Sequence, residues 1–144
     1  IAALEAGEMI AMMPQGTIPR GPAFFSPKLK GRWGAARLHQ ATGAPVIPIG
    51  LWGTEKVWPR SSRVPNVLTL TNPPTVQVRV GPPVRLKGES LDKDTRKIMK
   101  AIRRQLPDEA REEREPTPEE LARTYPPGWS GDAETEAEHR SEQD

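Results

Sequence analysis

Proline occupies 17 of the 144 positions and limits the folds open to this chain more than any other feature. Each proline fixes φ and removes a backbone donor, which confines helix interiors and central strands to the stretches between prolines. Four prolines and three glycines fall within residues 14–31, so that stretch reads as one irregular segment. A loop of that length inside a compact domain is usually functional. The chain length suits about one domain, but apolar residues make up only 35%, too few for a core that reaches along the whole chain.

Between the breakers the pattern predicts alternating elements. Residues 1–7 read as the last turns of a helix, and the first residue reads as a truncation point, because no initiating Met or charged signal region precedes the apolar start. Residues 8–13 form a short apolar run of buried-strand length. Residues 32–42 repeat Trp33, Ala36, Arg37 and Gln40 at helical spacing and close on Gly43. Residues 45–51 then read as a second buried strand, and the strand, helix and strand together predict a right-handed βαβ crossover. Val76, Val78 and Val80 alternate with polar residues as in a half-buried strand. Ser90 or Asp92 caps a helix running to about Gln105, with Ile98, Ile102 and Leu106 on one face and cations on the other. The expected class is α/β, a mainly parallel or mixed sheet flanked by helices and incomplete at its N-terminus.

Residues 1–106 carry 17 Lys/Arg against 6 Asp/Glu, and residues 107–144 carry 4 against 13. The sign change at Pro107 places the domain boundary there, with an acidic, Pro-containing and largely disordered tail beyond it. From residue 130 hydrophobic side chains almost vanish, which predicts disorder. The basic body favours anionic partners. Without cysteine the chain has no disulfide framework, thiolate metal site or cysteine nucleophile. No run approaches the length of a bilayer span.

The segment Met12-Met13-Pro14-Gln15-Gly16-Thr17-Ile18-Pro19-Arg20-Gly21 breaks an apolar run into a glycine-bearing loop with a hydroxyl and a cation. Backbone N–H groups, a Thr hydroxyl and an Arg fork are the donors a phosphate monoester needs. Taken alone, these residues equally describe a turn joining two elements. They are followed in order by Lys30-Gly31-Arg32-Trp33-Gly34-Ala35, by Gly43-Ala44-Pro45-Val46-Ile47-Pro48 and by Val80-Gly81-Pro82-Pro83.

This ordered set, covering residues 1 to about 106, resembles the lysophosphatidate and glycerol-3-phosphate acyltransferase family. The resemblance implies transfer of a fatty acyl group from acyl-CoA or acyl-ACP to the free hydroxyl of lysophosphatidate or a related acceptor, with no other cofactor and no metal. Gly16 and Thr17 match the family's acceptor-phosphate loop, and Gln15 stands where the family has Glu. Arg20 takes the place of the family's Arg, displaced by two positions. Lys28, Lys30 and Arg32 are candidates for contact with the phosphates of the donor or acceptor, or form a solvated face.

The family's catalytic His and Asp, five residues apart, lie upstream of the glycine loop, and no His or Asp precedes Gly16 here. No catalytic residue is therefore assigned in this chain. His39 has Ala44 at the matching interval and reads as a helix-surface residue. His139 has Asp144 there but sits in the polar tail.

Phe24, Phe25, Trp33, Trp52 and Trp58 lie near Lys28, Lys30, Lys56 and Arg60, the composition of a peripheral contact with the cytoplasmic face of a membrane or of a completed core. Two other readings fit parts of the sequence. One is a non-catalytic acyltransferase-like scaffold, which Gln15 suits. The other is a basic nucleic-acid-binding module, disfavoured because the cations are spread over several elements and no recognition helix or stacking ladder is evident.

Overall fold

The computed structural model describes residues 1–66 and 71–129. His139, Asp144 and the stretch from 130 onward that was expected to be disordered lie outside the described residues. The chain forms two compact units, one of residues 1–18, 27–52 and 76–112, the other of residues 19–26, 53–75 and 113 onward.

In the first unit, a short helix α1 (Ala2–Glu5) precedes the loop, then come α2 (Gly34–Thr42), strands β1 (Ile49–Trp52) and β2 (Gln77–Val80), and α4 (Leu91–Gln105); α3 (Thr54–Val57) belongs to the second unit. The predicted end of α2 is present: Gly43 has φ +69° and its N–H donates to the His39 carbonyl at 2.8 Å. His39 Nδ1–H donates to the Ala44 carbonyl at 2.8 Å, so this half-buried ring closes the helix end. At the other long helix Ser90 is the N-cap, its hydroxyl accepting from the Lys93 N–H.

The core lies between α2 and α4. Ala35 and Ala36 are small enough to let α4 approach, and Ile98 fills the contact, with Val46, Leu86, Leu91 and Ile102 around it. β1 and β2 pair antiparallel, Ile49 opposite Val80 and Leu51 opposite Val78. The expected crossover joined residues 8–13 to 45–51 around α2; the ladder observed among the described residues instead joins β1 to β2. Residues 8–13, expected to be a strand, join no ladder among the described residues, and Met9 is 95% exposed.

Alternation in β2 also has an unexpected outcome. Ile49, Leu51, Val78 and Val80 share one face of the pair, and all four are exposed. On the other face Gly50 is buried against the C-terminal end of α4, while Gln77 and Arg79 of β2 are exposed as well. An ideal Cβ on Gly50 would stand 2.7 Å from Gln105 Cβ and 2.8 Å from the Gln105 carbonyl carbon and oxygen. Fully buried Pro48 continues this contact, and two further bonds extend the pairing, Gly81 N–H to the Pro48 carbonyl and Val84 N–H to the Val46 carbonyl, each 2.9 Å.

Asp94, 3% exposed, ties the turn before α4 to the helix. Its carboxylate accepts from the Gly88 N–H at 2.7 Å, the Lys87 N–H at 3.4 Å and Lys97 Nζ at 3.0 Å. Burial raises its pKa, but the Lys97 hydrogen bond and the two backbone donors outweigh burial, leaving it below the ordinary aspartate value. Gln40 of α2 donates to the Gly88 carbonyl at 2.7 Å, so the same turn is held from both helices.

The second unit brings together segments far apart in sequence. Its 3₁₀ turn Gly21–Phe25 donates the Gly21 N–H to Thr124 Oγ1 at 2.8 Å, beside α5 (Pro118–Ala122). Tyr125 and Trp129 stack with ring centres 4.3 Å apart, and Phe24 meets Phe25 edge to face. Residues 117–120 form a full capping box, with Thr117 and Glu120 each accepting from the other's N–H. Arg114 makes two parallel 2.8 Å bonds to the Glu120 carboxylate and lies over Phe25. The described part of the acidic stretch therefore contains a capped helix. Among the described residues no helix is long and apolar enough to cross a membrane.

Three outcomes test this account. Gly50→Ala should lower unfolding free energy by about 3 kcal/mol, because helix backbone cannot yield to the new methyl. Gly43→Ala, with open space at the Cβ position, should cost only about 1 to 2 kcal/mol of left-handed strain. Equal losses in urea unfolding would refute the close-approach explanation.

Asp94→Ala, which strands two N–H groups and Lys97, should cost on the order of 2 to 4 kcal/mol in the same measurement. Asp94's folded pKa is depressed, so its contribution is present above the unfolded value near 3.8 and is lost as pH falls below it.

Arg114, with the Thr117 N–H, draws the Glu120 carboxyl down from 4.5 to about 2. Its contribution is complete above about pH 4.5 and disappears as pH falls toward 2. Thermal midpoints of Glu120→Gln should accordingly fall less between pH 5 and pH 2 than those of the parent.

Candidate functional site

Pro14, Gln15 and Gly16 form a tight turn in which the Gly16 N–H donates to the Met13 carbonyl at 3.1 Å. Proline suits the second position of such a turn. Gln15 has negative φ and Gly16 has φ +68°, the combination of a type I turn followed by a left-handed glycine. The Gly16 N–H is thereby engaged in the turn. The donors that remain at the loop are the Thr17 hydroxyl and N–H and the half-buried Gln15 amide, none with a partner among the described residues.

The cation beside this turn is Arg32. Its N–H donates to the Pro14 carbonyl at 2.7 Å, which fastens the approach to α2 onto the turn. Its side chain lies over Gly16, with Cδ 2.9 Å and Nε 3.1 Å from where a Cβ would stand. Any side chain at residue 16 would therefore displace Arg32 as well as strain the backbone. Arg32 is exposed and makes no ion pair among the described residues.

Next to Arg32, Gly31 is turned inward, its Cβ position 2.6 Å from Met99 Sδ and 3.1 Å from Thr95 Cγ2 of α4. Absence of a side chain at 31 lets this segment lie flat on α4 and holds Arg32 at the turn. Lys28 and Lys30, on the same irregular segment, are exposed.

Arg20, read from the sequence as the loop's cation, is half-buried in the second unit with its guanidinium 5.6 Å from the Trp129 ring centre. Arg32 was already a candidate, but its contact with Gly16 is made across sixteen positions of sequence and left no local signal. The aromatics divide between the two units. Trp33 and Trp52 lie in the first unit, where Trp52 Nε1–H donates to Glu109 at 2.6 Å and Arg37 lies over Trp33. Phe24, Phe25 and Trp58 lie in the second.

Chemically, the exposed turn offers one hydroxyl, one amide side chain, one backbone donor and a guanidinium without an ion-pair partner among the described residues. That set can bind an oxyanion but holds no imidazole or carboxylate able to act as a base. No protein-family model, curated protein or solved structure matches this chain.

Proposed function

We propose that this chain is the acceptor-binding part of a glycerolipid acyltransferase, in which the turn at Gln15, Gly16 and Thr17 captures the phosphate of a lysophosphatidate-like acceptor and Arg32 supplies the neutralising charge. The observation that carries this reading is the position of Arg32, side chain against Gly16 and backbone against Pro14. A guanidinium and a hydroxyl at one exposed turn suit a phosphate monoester in charge and in hydrogen-bonding capacity. With the phosphate fixed there, the acceptor's free hydroxyl is oriented for attack on an acyl thioester from acyl-CoA or acyl-ACP. Orientation of this kind is a large part of what an acyl-transfer site contributes. The hydroxyl must lose its proton during attack, and this reading assigns the base to sequence outside these residues. A peripheral position at the membrane surface follows from the lipid character of the acceptor.

Equilibrium binding of a short-chain lysophosphatidate to the chain, beside its dephosphorylated monoacylglycerol counterpart, tests the phosphate assignment. Preference for the phosphorylated ligand is expected, with Thr17→Ala and Arg32→Ala each losing about 1.5 to 3 kcal/mol, or roughly tenfold to a hundredfold in affinity. Binding that ignores the phosphate, or that survives both substitutions, would remove the basis for the acyltransferase reading.

A further inference from the structure

A second concentration of positive charge lies on the first unit, along α4. Lys97, Lys100 and Arg104 recur at spacings of three and four, which aligns them on one side of the helix. Opposite them runs the segment after β2, and between the two is a groove of about 470 Å³. Its floor includes buried Pro48, with Pro82 and Pro83 beside it, and its wall on the strand side contributes Arg85. Four cations from two elements thus surround one concavity, and no carboxylate lines it.

Lys97 is partly neutralised by Asp94 at 3.0 Å. Arg85, Lys100 and Arg104 are exposed and make no ion pair among the described residues. Like charges three and four apart on a helix weaken it, and a low-dielectric wall of proline rings beneath them concentrates their field into the groove. Such an arrangement gains most from an anion carrying several charges, because a single carboxylate leaves most of the potential uncompensated. Arg forks with Lys point charges are the mixture that suits phosphoryl oxygens. The volume is that of a small-molecule site, and a flat bilayer surface cannot fill a recess of this shape.

We infer that the groove between α4 and the segment 82–85 binds a soluble, multiply charged phosphate anion through Arg85, Lys97, Lys100 and Arg104. The site is separate from the turn at Gly16, and its ligand need not be an acyl acceptor.

Isothermal titration of the whole chain with sodium tripolyphosphate at low ionic strength should give one saturable site. Lys100→Gln combined with Arg104→Gln should weaken binding by at least about tenfold, and Arg85→Gln by several-fold, with thermal midpoints confirming that each variant is folded. Lys93→Gln on the same helix and Lys56→Gln in the second unit, both outside the groove, should leave affinity within about twofold. Equal losses in the control variants would show general charge attraction and overturn the proposal, as would the absence of saturable binding. Phosphatidylglycerol vesicles distinguish the source of the phosphate. Vesicle binding that depends on these residues without tripolyphosphate binding would overturn the groove site in favour of a lipid surface.

Discussion

Contact between a strand backbone and a helix backbone, made at Gly50 against Gln105, determines how the rest of the first unit is arranged. With no side chain between them, β1 lies directly on the last turn of α4, and the pair β1/β2 takes its inner face from that approach. Pro48 and Gly81 fall at the same junction, Gly81 with its Cβ position 3.0 Å from Pro48 and 2.5 Å from the Gln105 amide. Ala35 and Ala36 allow α2 an equally close approach to α4 further along. One amphipathic helix thus serves as the common support, its apolar side covered by α2 and the sheet and its cationic side left facing water.

Local signals in the sequence identified the parts of this arrangement that depend on local physics. Gly43 at the end of α2 and Ser90 at the start of α4 were legible because a cap is a bond between residues a few positions apart. Strand β2 was legible from its period of two, but its direction was not, since a ladder partner is chosen by tertiary packing. Alternation marks two faces and does not say which is covered. Here the valines face outward, because α4 takes the glycine side. Residues 8–13 have the composition of a strand without a neighbouring ladder among the described residues.

At the candidate site the turn itself was readable from Pro14 and Gly16 and Arg32 was among the candidate cations, but its placement against Gly16 was not readable. Sequence proximity favours Arg20, three positions past Thr17, yet the proline at 19 and the turn at 21–25 carry that side chain to the aromatic group around Trp129. Arg32 arrives at Gly16 because Gly31 fits against Met99 and Thr95, a relation between residues nearly seventy positions apart. Nothing in either stretch announces the other. Asp94 teaches the same lesson: it looks like one of two first-turn acids, and only its burial under the Gly88 turn distinguishes it from Asp92.

β1 and β2 are neighbours in the sheet, yet residues 53–76 separate them, so no tight hairpin turn sets their register. Closing a loop of that length is entropically unfavourable before any ladder bond forms, whereas α2 and α4 can each nucleate from local bonds. The order of assembly that follows is helices first and ladder last, with α4 acting as a template on which β1 settles through Gly50 before β2 arrives. Native-state hydrogen exchange would then find the strand amides opening before those of the α4 interior, the reverse of the hierarchy expected when a hairpin nucleates its own sheet.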